Sequence, residues 1–76
     1  MSGPGDGGVP EVAIRDASIR LGQFLKLADL IDNGAEVKPL MIQGLVTVNG
    51  DTETRRGRRL EKGDVVALGD VSVRVA

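Results

Sequence analysis

The sequence predicts an α+β domain: two short helices packed on a small, mainly antiparallel sheet. Three observations point there. Apolar residues from Leu21 to Ile31 recur at helical spacing. Asn49-Gly50 and Gly69-Asp70 are two-residue hairpin signals. Short valine-rich runs flank those turns. The predicted order is β-α-α-β-β-β-β, in one domain over residues 11–76 behind a flexible, Gly- and Pro-rich tail at 1–10.

Glu11 to Arg15 alternates polar and apolar, which suits a short strand. Asp16 and Ser18 supply turn or cap chemistry. From Ile19 the period changes: Leu21, Phe24, Leu25, Ala28 and Ile31 share one helix face, which Leu27 and Leu30 widen. Asn33-Gly34 is the expected stop. A second helix is expected over Ala35–Gln43, burying Val37, Leu40 and Met41, with Asn33 and Glu36 spaced as a capping box. Pro39 predicts a late or irregular start, and Gly44 the end. Leu45–Val48 and Asp51–Thr54 then pair across Asn49-Gly50, and Val65–Leu68 and Val71–Val75 across Gly69-Asp70. Between the hairpins, Arg55–Arg59 reads as an irregular loop around Gly57.

The residue inventory excludes much. The chain has no cysteine, so neither disulfides nor thiolate metal sites form, and the expected compartment is the reducing cytoplasm. It has no histidine, the usual general base near neutral pH. Ser2, Ser18 and Ser72 have no activating partner in the pattern, and the acids show no hard-cation loop spacing. No enzyme activity, metal or cofactor is expected. No apolar run reaches the ~18 residues of a membrane span. Phe24 is the one aromatic residue, so the core is aliphatic.

Charge is the strongest functional signal. The net charge is only −1, yet Arg55, Arg56, Arg58 and Arg59 lie within five residues. Residues 1–54 carry four basic and eight acidic groups; residues 55–76 carry six basic and three acidic. Focused positive potential attracts polyanions whatever the average charge. Glu53, Glu61 and Asp51 can neutralise part of the cluster, but four guanidiniums outnumber three acids.

The ordered set of motifs resembles the RNA-binding domain named after small-subunit ribosomal protein S four, the alpha-L motif. The resemblance covers Arg20 to about Leu68. It rests on Arg20-Leu21, Val37-Lys38-Pro39-Leu40-Met41, Gly44-Leu45-Val46-Thr47-Val48-Asn49-Gly50 and Gly63-Asp64-Val65-Val66. It implies the alpha-L fold and binding of structured RNA, ribosomal or transfer RNA, through basic residues of the helices and adjoining loops. Matched residues are Arg20, Lys38 and the polar Gln43. Arg55, Arg56, Arg58 and Arg59 form a cluster richer than the family norm, like those of small stand-alone bacterial members. Three departures weaken the helix side. Gly22 stands where the family usually has Asp, Asp32-Asn33-Gly34 replaces a Ser/Thr-basic opening of helix two, and Pro39 replaces a common polar residue. Lys26 reads as a plain surface residue.

The expectation is therefore a non-enzymatic, cytoplasmic, monomeric RNA binder, on or near the ribosome. Guanidiniums grip phosphates through paired hydrogen bonds. With no aromatic platform, recognition reads shape and backbone more than bases. Gly57 would let the backbone approach a phosphate. The main rival is a protein-interaction module for a ribosomal or other acidic partner. A detached subunit of an RNA-modifying enzyme is a further alternative, since this domain is often fused to pseudouridine synthases. A β-grasp carrier is set aside, because the sequence ends Val73-Arg74-Val75-Ala76 without a Gly-Gly.

Overall fold

The structure is a computed structural model that describes residues 9–76. Most of the expected tail lies outside the described residues, while Pro10 is tied to the sheet by an Arg74 N–H to Pro10 carbonyl bond of 2.8 Å. Among the described residues seven strands form: β1 (Glu11–Val12), β2 (Ser18–Arg20), β3 (Val46–Val48), β4 (Asp51–Thr52), β5 (Arg59–Glu61), β6 (Val65–Leu68) and β7 (Val71–Val75). The helices are α1 (Leu21–Leu27) and α2 (Val37–Ile42), the latter entered through a 3₁₀ turn at Gly34–Glu36. Among the described residues no helix is long and apolar enough to cross a membrane.

Five strands form one sheet in the order β1-β7-β6-β3-β4, antiparallel except for the parallel pair β1 and β7. Both hairpins form. At the first, Asn49 and Gly50 take φ of 53° and 91°, as a turn with two left-handed residues demands. At the second only Gly69 is left-handed, with φ of 60°. Val46, Val48, Val66, Val73 and Val75 point inward. Leu21, Phe24 and Leu25 of α1 and Val37 and Met41 of α2 meet them, with Ile14, Ile31 and Leu60 completing the core.

The strands expected at Glu11–Arg15 and Asp51–Thr54 shorten to Glu11–Val12 and Asp51–Thr52, and two elements differ in kind. First, β2 and β5 form a separate antiparallel ribbon, with Ser18 opposite Glu61, Ile19 opposite Leu60 and Arg20 opposite Arg59. Ile19 therefore belongs to a strand, and Arg59 leaves the loop. Each strand carries a single apolar residue between polar ones, too short a pattern to read as period two.

Second, α1 ends at Leu27, well before Asn33. The Asp29 N–H donates to the Lys26 carbonyl and the Leu30 N–H to the Leu25 carbonyl, both at 3.0 Å, with Asp29 left-handed at φ 62°. This is a Schellman stop made on aspartate. The early exit leaves Leu27 52% exposed, not part of a widened apolar face.

The second helix behaves as Pro39 dictates. Pro39 is the third residue of α2, where the missing N–H would have had no intrahelical partner. The Asn33 side chain accepts from the Ala35 N–H at 2.9 Å, while Glu36 reaches back to the Asp32 N–H at 3.3 Å. Each leg of the expected box thus falls one residue early, on Ala35 instead of Glu36 and on Asp32 instead of Asn33. Gly44, at φ 73°, ends α2 with a second Schellman pair.

Candidate nucleic-acid interface

The arginine loop is an ordered brace. Arg56-Gly57 is the corner of a tight turn closed by the Arg58 N–H on the Arg55 carbonyl at 3.1 Å. The turn's carbonyls face the start of α1. That helix begins after Arg20, which makes no side-chain cap, so its first N–H groups need outside acceptors. The Leu21 N–H finds the Arg58 carbonyl at 2.8 Å and the Gly22 N–H the Arg56 carbonyl at 3.0 Å. The Arg20 Nη1 donates to the Gly57 carbonyl at 2.8 Å. Gly57 is therefore a turn corner whose carbonyl is already engaged, and its φ is not left-handed.

Glu53 holds the loop from below. It is the one buried charged or polar residue in the described core, 5% exposed. Its Oε2 accepts from the N–H groups of Thr54 and Arg55, both at 2.9 Å, and from the Arg55 Nε at 3.3 Å. Its Oε1 accepts from the Arg58 Nη1 at 2.9 Å. The Arg58 guanidinium first, and the Arg55 N–H next, hold the carboxyl down at about 2 from an ordinary 4.5, against the opposing pull of burial. Two of the four clustered arginines are thus partnered by one carboxylate. Pairing with Asp51 or Glu61 is not seen among the described residues.

Three other cations share one lining. Arg20, Lys26 and Arg56 line one hollow of about 370 Å³ together with Gly22, Gln23, Gly34, Val37 and Gly57. No acid lines it. Lys26, which reads from sequence as a plain surface residue, joins through helical spacing from Leu21–Gly22 that only the loop's docking makes meaningful. Gly22 contributes by what it lacks. A Cβ there would meet the Arg56 carbonyl at an ordinary 3.6 Å, so the site tolerates a side chain, yet the sequence puts no carboxylate there. Arg59 stands opposite Arg20 across the ribbon. Like charges directly opposed across an antiparallel pair repel, and an anion relieves that repulsion.

Arg56 also borders a second hollow, of about 540 Å³, with Lys38, Met41, Ile42 and Thr54. The two hollows make Arg56 the link between α1 and α2. Gln43 lies exposed at the end of α2, outside both linings. Arg55 remains largely exposed at its side chain, 78%, whereas Arg58 is only 33% exposed.

Comparison with known proteins agrees with this architecture. Over 57 residues the chain is 46% identical to the probable ribosome maturation protein RlbA of Bacillus subtilis (strain 168), covering 75% of this chain and 80% of that protein. The crystal structure of the 30S ribosomal protein S4e from Thermoplasma acidophilum superposes with a TM-score of 0.59 at 26% identity. That match covers 79% of this chain, which spans about a third (32%) of the archaeal protein. The S4 domain profile matches residues 12–76, and the chain belongs to the S4 domain family.

Proposed function

We propose that this protein binds structured RNA, ribosomal or transfer RNA, as a non-enzymatic cytoplasmic monomer. The observation that carries the reading is the acid-free hollow shared by Arg20, Lys26 and Arg56. Three cations from three segments, convergent and without a carboxylate in the lining, suit a phosphate backbone. Arg59 and Lys38 extend the positive surface along the ribbon and α2, Arg55 adds an exposed edge, and Gln43 a neutral polar contact. Arg58 acts chiefly by ordering the loop through Glu53. The relatives named for ribosome maturation and for the small ribosomal subunit support ribosomal RNA as the first target to try.

The test is binding of a short structured RNA at about 50 and 200 mM salt, a range over which several phosphate contacts cost orders of magnitude in affinity. Wild type is compared with Arg20→Ala/Lys26→Ala/Arg56→Ala, which leaves the Glu53 network intact. Salt-steep wild-type binding that the triple variant loses supports the reading. Absence of wild-type binding to stems, junctions and ribosomal RNA fragments refutes it. It also turns attention to a ribosomal or other acidic protein partner for the Arg55–Arg59 cluster.

A further inference from the structure

We infer that the hollow between α2 and the arginine loop takes one unpaired nucleotide of the bound RNA. This rests on the RNA-binding reading and adds a specificity that the cations alone do not supply. Ile42 is 75% exposed, the most exposed large apolar residue described. A lone exposed isoleucine on a convex surface needs no explanation. This one lines a concave space of about 540 Å³, with Met41 and the exposed Thr54 beside it and Lys38 and Arg56 in the same lining.

The space therefore offers an apolar wall, a hydroxyl and two cations together, with no acid in the lining. Charge complementarity selects an anionic occupant. The apolar wall selects one with an uncharged flat face. A nucleotide whose base is unstacked has both, plus a 2′-hydroxyl within the repertoire of a threonine. A fully paired A-form stem hides its base faces and offers only ribose and phosphate. Ile42 is thus covered by an unpaired nucleotide and left in water by a plain stem. Covering about 40 Å² of aliphatic surface corresponds to roughly a fivefold preference.

The experiment measures affinity by fluorescence anisotropy at fixed salt for two RNAs, a stem with one bulged nucleotide and the same stem fully paired. The full chain is used as wild type, Ile42→Ser and Ile42→Phe, each checked for an unchanged melting curve. The expected result is a roughly fivefold wild-type preference for the bulged stem, lost in Ile42→Ser and enlarged in Ile42→Phe. Equal wild-type affinity for the two RNAs overturns the inference while leaving RNA binding intact. So does a preference that survives Ile42→Ser, or an equal loss on both RNAs. Failure to bind either RNA removes the underlying reading as well. If Ile42→Ser abolishes ribosome co-sedimentation with the RNA preference unchanged, the hollow is a protein contact and the inference falls.

Discussion

Replacing Glu53 by glutamine removes the negative charge beneath the arginine loop while keeping the side chain's shape. The carboxyl sits at about 2 instead of 4.5, which corresponds to about 3 kcal/mol favouring the ionised folded state. Part of that comes through Arg55, whose side chain is 78% exposed and screened by solvent, so about 2 kcal/mol is the better figure. In a domain of this size such a loss lowers the melting temperature by roughly 10 °C. Because the folded value is depressed, the stabilisation is complete above the unfolded value near 4.5 and disappears as pH falls towards 2. Urea or thermal melts of wild type and Glu53→Gln at steps from pH 7 to pH 2 provide the assay. The gap between the two proteins should be full at pH 7 and shrink below about pH 4.5. No gap at pH 7, or a gap that stays constant into acid, would refute the assignment of Glu53 as the charged anchor of the loop.

Four further outcomes are expected. Arg58→Ala strands the Glu53 charge and destabilises by about 2 kcal/mol or more, whereas Arg56→Ala leaves the melt unchanged; paired denaturation curves distinguish them. Arg56→Ala instead lowers RNA affinity and reduces the slope of log affinity against log salt by about one contact, read from a salt titration; Lys26→Ala behaves alike. Asn49→Ala costs about 1–2 kcal/mol in a urea melt: it loses the Val65 N–H to Asn49 Oδ1 bond of 2.9 Å and the Nδ2 bond to Asp64 Oδ1 at 3.1 Å, and puts alanine at φ 53°. Asp29→Gly, at the left-handed end of α1, stabilises by about 0.5–1 kcal/mol and raises the melting temperature.

The loop's double duty has a consequence for reading arginine clusters. Residues of one run divide their labour: Arg58 turns inward to Glu53, Arg55 touches Glu53 through its Nε while staying largely exposed, and Arg56 joins Arg20 and Lys26. A buried carboxylate beneath a basic loop costs charge, yet it holds the turn whose carbonyls cap α1. Order in the loop and order in the helix start are therefore coupled. Loss of Glu53 should loosen both.

Local chemistry made much of the architecture legible in the chain alone. Asn49-Gly50, Gly69, Gly44 and the alternating valines act within a few residues of themselves, so the hairpins, the end of α2 and the buried faces follow from short-range sterics and periodicity. Pro39 announced the irregular entry to α2 for the same reason. Four things depended on how the chain packs, which the local pattern does not show. The β2–β5 ribbon joins residues about forty apart, each strand with one apolar side chain. The early stop at Asp29 interrupts the longer apolar period, leaving Leu27 exposed while Ile31 is buried from beyond the helix. The partition of the arginines hinges on Glu53 being buried, and the recruitment of Lys26 on the loop lying against α1. Charge identity is written in the sequence, but its direction is set by which groups the packed core forces together, since hydrogen bonds and ion pairs across the chain form only once the backbone has brought their partners within reach.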